Sequence, residues 1–501
     1  MGYFKYYPRK IKQEGNYLEK LFKLKANGTN VRTEIIAGIT TFLAMAYILI
    51  VNPDILKASG MPQQAVFAAT AVSAAFATLI MAFFANYPIV LAPGMGLNAY
   101  FAYTVCAQLK DAGITDPWKV ALTAILVEGI IFIILSIFKF RETLVNKVPK
   151  NLKLGISAGI GLFIVIVGFN GAGIVNSDAH LAKDAAGKIL NDVATGEPMV
   201  QSDNLVQMGV IGSPQVVLAI VGILLIAVLW HFKVKGAILI GILATWVFGI
   251  IAQLSGWYVV DPAKEVYSLI PSFEGYTAFA PVQEMATTTA FQFDFSYVTS
   301  HVLDFAVVVF AFLFIDMFDT VGTLIGVAQE GKLLDEKGEL PKVGRALMAD
   351  AIGTVGGACL GTSTVTSYVE STTGVAEGGR TGLTALVSAV MFLLAIPLYP
   401  IFSAIPSFAT TPALVFVGLL MLKNVTKMDF DTDIADTIGG FFAIVIMPFT
   451  GSIANGIMFG ILSWVFLKVV TGKIKEIHPV MWVSAALFVL RIVTMVLGIS
   501  S

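Results

Sequence analysis

Tyr87-Pro88-Ile89-Val90-Leu91-Ala92-Pro93-Gly94-Met95-Gly96-Leu97-Asn98 is apolar enough to enter a membrane but cannot form one continuous helix. Proline lacks a backbone donor and disfavours helix in the residue before it. Two glycines weaken helix further. Residues 89–92 are therefore free to run extended, with helix restarting after Gly94 or Gly96. A second stretch, Gly361-Thr362-Ser363-Thr364-Val365-Thr366-Ser367-Tyr368-Val369-Glu370-Ser371-Thr372-Thr373-Gly374, is rich in Ser, Thr and β-branched residues and is equally poor helix. Non-helical backbone at membrane depth survives only inside protein or beside a water-filled cavity. Two half-helix N-termini meeting near the midplane would offer backbone donors and partial positive charge. Such a place suits a polar, planar, hydrogen-bonding ligand.

The surrounding chain supports the membrane reading. Of 501 residues, 57% are hydrophobic and 13% are charged, against about 25% charged in a soluble domain. The apolar residues lie in runs near the roughly 20 residues that cross a bilayer as helix. Spans read at 33–52, 64–86, 89–108, 117–138, 154–172, 214–231, 236–254, 302–325, 343–360, 362–378, 381–400, 409–422, 433–448 and 453–470, about fourteen in all. The 480–498 segment is apolar but carries Arg491, and either spans the membrane or, the favoured reading, lies at the interface with that side chain snorkelling.

Charge orients these spans. The first 32 residues hold eight Lys or Arg against Glu14 and Glu19, with no signal-peptide cleavage pattern. A cytoplasmic N-terminus then places Lys139, Arg141, Lys147, Lys150 and Lys153 inside, with Lys233 and Lys235, and with Lys468, Lys473 and Lys475. The two long loops, 173–213 and 255–301, fall outside and are acid-rich. Short loops obey the positive-inside rule. The net charge of −1 suggests no nucleic-acid partner. Cys106 and Cys359 form no zinc or disulfide pattern, and four scattered histidines argue against a metal site. No cofactor is expected.

An internal repeat is visible. Gly241-Ile-Leu-Ala-Thr-Trp-Val-Phe248 matches Gly460-Ile-Leu-Ser-Trp-Val-Phe466 with one residue dropped. Val148-Pro149, followed by a span ending in Gly168, matches Ile405-Pro406, followed by Gly418. Each pair falls at corresponding places in two halves of seven spans. Seven is odd, so the second half enters from the opposite face, which is the inverted repeat of a transporter.

Asp316, Asp319, Thr320 and Thr323 are spaced i, i+3, i+4, i+7 and form one polar stripe on an apolar eighth span. An acid at the bilayer centre costs about 2.5–3.5 kcal/mol on insertion scales, and no Lys or Arg shares that stretch. Burial favours the neutral form of a carboxyl, so such an acid can bind substrate and carry a coupling proton. Glu370 lies in the second broken stretch and can set two oxygens against adjacent N–H groups of a ligand. Asn98 can donate and accept through one amide. Glu377 and Arg380 read as a local pair, and Glu128, Asp304 and Asp350 as polar groups of packing or pathway.

Four motifs carry a resemblance to the AzgA-like purine permeases. Thr33 to Pro53 (Thr-Glu-Ile-Ile-Ala-Gly-Ile-Thr-Thr-Phe-Leu-Ala-Met-Ala-Tyr-Ile-Leu-Ile-Val-Asn-Pro) is similar to their opening helix. Ala92-Pro-Gly-Met-Gly-Leu-Asn-Ala-Tyr-Phe101 resembles their third-span motif. Phe314-Ile-Asp-Met-Phe-Asp-Thr320 and Glu370-Ser-Thr-Thr-Gly-Val-Ala-Glu-Gly-Gly-Arg-Thr-Gly382 resemble those of their eighth and tenth spans.

The resemblance implies an all-α polytopic fold, a seven-plus-seven inverted repeat with the third and tenth spans broken. It implies a basic arm (1–32), a core domain (33–138 and 302–400), a gate domain (139–254 and 401–472), an extracellular loop (255–301) and a C-terminal tail (473–501). It implies proton-coupled import of purine bases through a multi-pass inner-membrane protein, in a homodimer surrounded by lipid. Guanine and hypoxanthine are favoured over adenine, and a proton over sodium. The family's binding positions map onto Gly96, Asn98, Asp316 and Glu370, with proton coupling at Asp316 and Asp319. Gly94, Thr320 and Thr323 are secondary. An anion transporter of the same fold would want a basic or neutral site. An intramembrane aspartyl protease would need two acids on different helices, and Asp316 and Asp319 share one. A channel fits two opposed half-sites less well than a carrier does.

Overall fold

The computed structural model describes residues 17–137, 148–176, 179–181, 200–202, 206–261, 266–334, 340–431 and 433–496. Half of the basic arm (1–16), Lys139, Arg141 and Lys147, and several acids of the two long loops lie outside them.

Among the described residues, ten helices are long and apolar enough to cross a membrane. The other four segments read as spans are the two broken ones, the 29-residue Val302–Glu330 helix and the 17-residue Ile434–Thr450 helix. Capping explains several starts. Asn30, Ser213, Thr381, Asp433 and Ser452 each accept a backbone N–H from the helix that follows, which satisfies donors that have no helical partner. The Pro479–Val496 helix lies against Val302–Glu330 and Ile453–Val470, with Phe488 edge-on to Phe310.

The broken stretches are where the sequence places them. Leu91–Pro93 and Val365–Ser367 are three-residue strands, paired antiparallel with Ala92 opposite Thr366. Helix restarts at Met95 in the first and at Ser371 in the second. Antiparallel pairing of equivalent segments is what entry from opposite faces produces.

Each strand has an outer edge that no other strand covers, and side chains fill it. Thr78 Oγ1 accepts from Leu91 N at 3.0 Å and donates to Leu91 O at 3.1 Å. Ser371 Oγ accepts from Val90 N at 3.0 Å. Across the pair, Thr354 Oγ1 donates to Val365 O at 3.1 Å, and Asp350 Oδ1 accepts from Ser367 N at 3.1 Å. Every such bond removes an unpaired backbone group that would cost about 1–3 kcal/mol when buried. The strands can therefore exist at membrane depth because three helices supply hydroxyls and a carboxylate to them.

The helices pack as two groups. Val31–Met45, Gln63–Ile80, Pro117–Ile137, Val343–Leu360 and Gly382–Ala395 gather around the strand pair. Lys150–Gly171, Ser407–Leu422, Ile434–Thr450 and Ile453–Val470 form the second group, with Pro214–His231 and Ala237–Leu254 flanking it. Pro149 and Pro406, the repeat-related prolines, each sit just before the first residue of their helix. Those two helices meet at Gly161 and Gly418, where a Cβ on either would fall within 2.6 Å of the other's carbonyl oxygen. Only glycine permits that approach.

Candidate functional site

A cavity of about 1000 Å³ runs between the two helix groups. Its inner wall holds Gly96, Asp319, Thr323 and Glu370. Its mouth holds Lys150, Lys153, Lys233 and Lys427. The structure thus divides the Asp316–Thr323 stripe. Asp319 and Thr323 line the cavity, whereas Asp316 and Thr320 are buried behind its wall. The stripe is wide enough that one edge faces the cavity and the other faces the Val343–Leu360 helix.

Glu370 is half-buried and precedes the Ser371–Ala376 helix, but its side chain does not cap that helix. It turns to Tyr47, whose hydroxyl donates to Glu370 Oε1 at 2.6 Å. Tyr47 was absent from the residues singled out in sequence. It lies at the break between the Val31–Met45 and Ile48–Lys57 helices and is fully buried. The only sequence signal was a phenol inside an otherwise apolar run.

Gly94 and Gly96 each sit where a side chain has no room. A Cβ at Gly94 would meet Thr366 Cγ2 at 2.7 Å and stand 3.7 Å from Asp319 Oδ2. One at Gly96 would meet Ile160 Cγ2 at 2.7 Å. Gly96 is therefore where the second helix group comes closest to the first break. Asn98 is fully buried within the restarted helix, where its Oδ1 accepts from Ser363, and its Nδ2 has no partner among the described residues. It links the two broken stretches rather than lining the cavity.

Behind the wall, Thr320 Oγ1 lies 3.0 Å from Asp316 Oδ1, 2.9 Å from Asp350 Oδ1 and 2.6 Å from Thr366 Oγ1. Asp350, read from sequence as a packing or pathway group, thus belongs to a node that touches the second strand. Glu128 likewise accepts from Thr364 at 2.9 Å. Glu34 is buried and receives the backbone N–H groups of Arg380 at 2.8 Å and Thr384 at 3.1 Å. It fixes the chain leaving the second break. Glu377 does not pair with Arg380 as the spacing suggested. It bonds Lys235, and the Arg380 guanidinium donates to the carbonyls of Val375 and Gly379. Sequence separation of 142 residues concealed that pair. No group of three or more metal-ligating side chains occurs among the described residues.

Outside the cavity lining, Asp54 accepts from Ser407 Oγ at 3.3 Å and Thr410 Oγ1 at 3.2 Å. Those bonds join the Ile48–Lys57 helix to the N-terminus of Ser407–Leu422, where a carboxylate is favoured.

Residues 32–459 match the Permease family (Xan_ur_permease). The chain belongs to that family. Its relatives include the guanine/hypoxanthine permease PbuO of Bacillus subtilis, 41% identical over 94% of this chain and 99% of that one. The adenine permease AdeP of Escherichia coli is 38% identical over 95% of this chain and 96% of that one. The transmembrane domain of the cyanobacterial bicarbonate transporter BicA shares the fold, with a TM-score of 0.60, 16% identity, and coverage of 84% and 96%. The purine-permease resemblance carried by the four motifs is thus borne out. The chain is a multi-pass membrane transporter and not an enzyme. The protease alternative falls with that, although Asp316 and Asp350 do bring two acids together from different helices.

Proposed function

We propose that this permease carries purine bases, guanine and hypoxanthine foremost and adenine as a further candidate, by proton symport through alternating access. Glu370 is the observation that carries this reading. Its carboxylate stands in the cavity wall, steadied by Tyr47 through one oxygen. A purine offers ring and exocyclic N–H donors in one plane, which a fixed carboxylate accepts in short charge-assisted bonds. Asp319 and Thr323 stand on the same wall, and Gly96 leaves room for a flat ring. The names of PbuO and AdeP support the substrate class. An anion reading rests on fold likeness alone, and two acids in the wall disfavour it.

The cavity reaches the lysine-bearing face, which the positive-inside rule assigns to the cytoplasm. We therefore read the arrangement as inward-facing, with Asp54, Ser407 and Thr410 holding the outer side shut. The group around the strands would be the core and the other the gate, and the core would move against the gate between states. The proton would ride on the Asp316–Asp319 segment. One charge moving through 100 mV provides about 2.3 kcal/mol, roughly fifty-fold accumulation. We place the protein in the inner membrane with a cytoplasmic N-terminus, as a homodimer. Labelled hypoxanthine uptake into proteoliposomes, with and without an imposed pH gradient, tests the reading. Uptake that never exceeds equilibrium under the gradient would exclude symport. Competition by unlabelled adenine and guanine ranks the substrates.

A further inference from the structure

The cavity carries charge that a purine base cannot use. Five lysines line it, Lys150, Lys153, Lys233, Lys235 and Lys427, against three acids. Asp319 and Glu370 stand on the inner wall, and Glu377 is taken by Lys235. Lys150, Lys233 and Lys427 bond no carboxylate among the described residues, and Lys427 reaches the Asn424 amide oxygen at 3.4 Å. The positive-inside rule accounts for lysines on this face. It does not account for their meeting at one mouth from three separate stretches. Lys150 begins the Lys150–Gly171 helix, Lys233 follows the Pro214–His231 helix, and Lys427 ends the short turn after Ser407–Leu422. Guanine and hypoxanthine are uncharged near neutral pH and gain nothing from such a rim. An anion does, because a cleft lined by one sign of charge concentrates the opposite ion.

We propose that the cavity also takes purine nucleoside 5′-monophosphates, with the base on Glu370 and the phosphate on Lys150, Lys233 and Lys427, and that these nucleotides inhibit transport instead of crossing. The proposal rests on the purine reading of Glu370. A ribose on ring N9 leaves the N1–H and the exocyclic amino group of guanine free, so the base still meets the carboxylate. Phosphate oxygens accept from ammonium groups in short charge-assisted bonds. The volume of about 1000 Å³ is at the upper end for sites that hold drug-sized ligands, about 300–1,000 Å³. Glu370 belongs to the helix group around the strands, and Lys150 begins a helix of the other group. A nucleotide held at both ends therefore ties the two groups together and opposes their movement. Phosphoribosyl transfer to an imported base yields such a nucleotide, so the product of that class of reaction would restrain its own supply.

Displacement of labelled hypoxanthine from the purified full-length protein in neutral lipid tests this. Guanosine monophosphate is compared with guanosine, which lacks the phosphate, and with inorganic phosphate, which lacks the base. The nucleotide is expected to displace at a concentration at least about tenfold below guanosine, and inorganic phosphate not to displace. Added salt should weaken the nucleotide and leave hypoxanthine unchanged, because it screens the lysine rim. Lys150→Gln combined with Lys233→Gln should bring the nucleotide close to guanosine, with hypoxanthine binding retained as the check on folding. In proteoliposomes, labelled guanosine monophosphate should not accumulate. A nucleotide no stronger than guanosine would overturn the proposal, and that comparison needs no variant. So would displacement by inorganic phosphate, a nucleotide affinity untouched by the lysine changes, or accumulation of the labelled nucleotide. If hypoxanthine itself does not bind, the purine reading and the proposal fall together. If it binds and the nucleotide does not surpass guanosine, the proposal falls alone.

Discussion

The Tyr47 hydroxyl donates to the Glu370 carboxylate at 2.6 Å, across 323 residues of sequence. The bond sets the orientation of the acid before a ligand arrives, and it ties the break in the first span to the break in the tenth. A hydrogen bond to a charged group contributes about 1.5–3 kcal/mol. Tyr47→Phe is therefore expected to weaken hypoxanthine binding about tenfold or more, with thermal unfolding little changed. Equilibrium binding to the purified protein measures it. An unchanged affinity would mean that Tyr47 does not orient the site.

Gly96 marks the contact of the Lys150–Gly171 helix with the first break. Ile160 is β-branched and stiff at χ1, so it yields poorly to a methyl placed 2.7 Å away. Gly96→Ala should cost about 1–3 kcal/mol through overpacking. Transport should slow and the inward-facing arrangement should lose stability. Adding Ile160→Ala removes the clashing Cγ2 and should restore both, as read by uptake rate and thermal unfolding. If the second change rescues neither, the close approach is not what limits motion.

Asp54 accepts from two hydroxyls of the Ser407–Leu422 helix, and in the proposed inward-facing state these bonds close the outer side. Asp54→Ala removes both bonds and the favourable charge at the helix N-terminus. The population should shift toward the outward-facing state. Spin labels placed across the outer ends of the two helices should then report longer distances. Distances that stay as in the wild type would exclude Asp54 as a latch.

Asp433, which caps the Ile434–Thr450 helix from just before its first residue, offers a pH test. Burial alone would raise its carboxyl, but hydrogen bonds from Lys473 at 2.6 Å and Lys468 at 2.9 Å, with the Ala435 N–H, hold it below the ordinary aspartate value. A depressed folded-state value stabilises the protein above the unfolded value, about 3.9, and that stability is lost as pH falls toward the folded one. Asp433→Asn should lower the melting temperature at neutral pH. The gap to the wild type should close as pH drops below about 4. A gap independent of pH would mean that packing, not charge, is responsible.

Local rules made the fold legible. Pro93, Gly94 and the Ser/Thr run at 362–367 announce both breaks, because they fail as helix whatever surrounds them. Gly96, Asp319 and Glu370 were readable because acids and glycines are conspicuous in apolar spans. What escaped depended on distant partners. Tyr47 looks like any aromatic in a membrane helix until Glu370 is beside it. Asp350 looked like a packing group because its roles, accepting from Ser367 N and meeting Thr320, exist only once the second strand has folded against its helix. The helical period put Asp316 and Asp319 on one stripe but could not say which edge of it the cavity takes.

Glu370 is the group on which the substrate reading turns. Equilibrium binding of labelled hypoxanthine to purified wild-type protein and to Glu370→Gln tests it most directly. Glutamine keeps the shape and replaces an anionic acceptor with an amide. Binding is expected in the wild type and a loss of at least about tenfold in Glu370→Gln, with unfolding temperature preserved. Equal affinity in the two proteins would contradict the placement of the purine against Glu370.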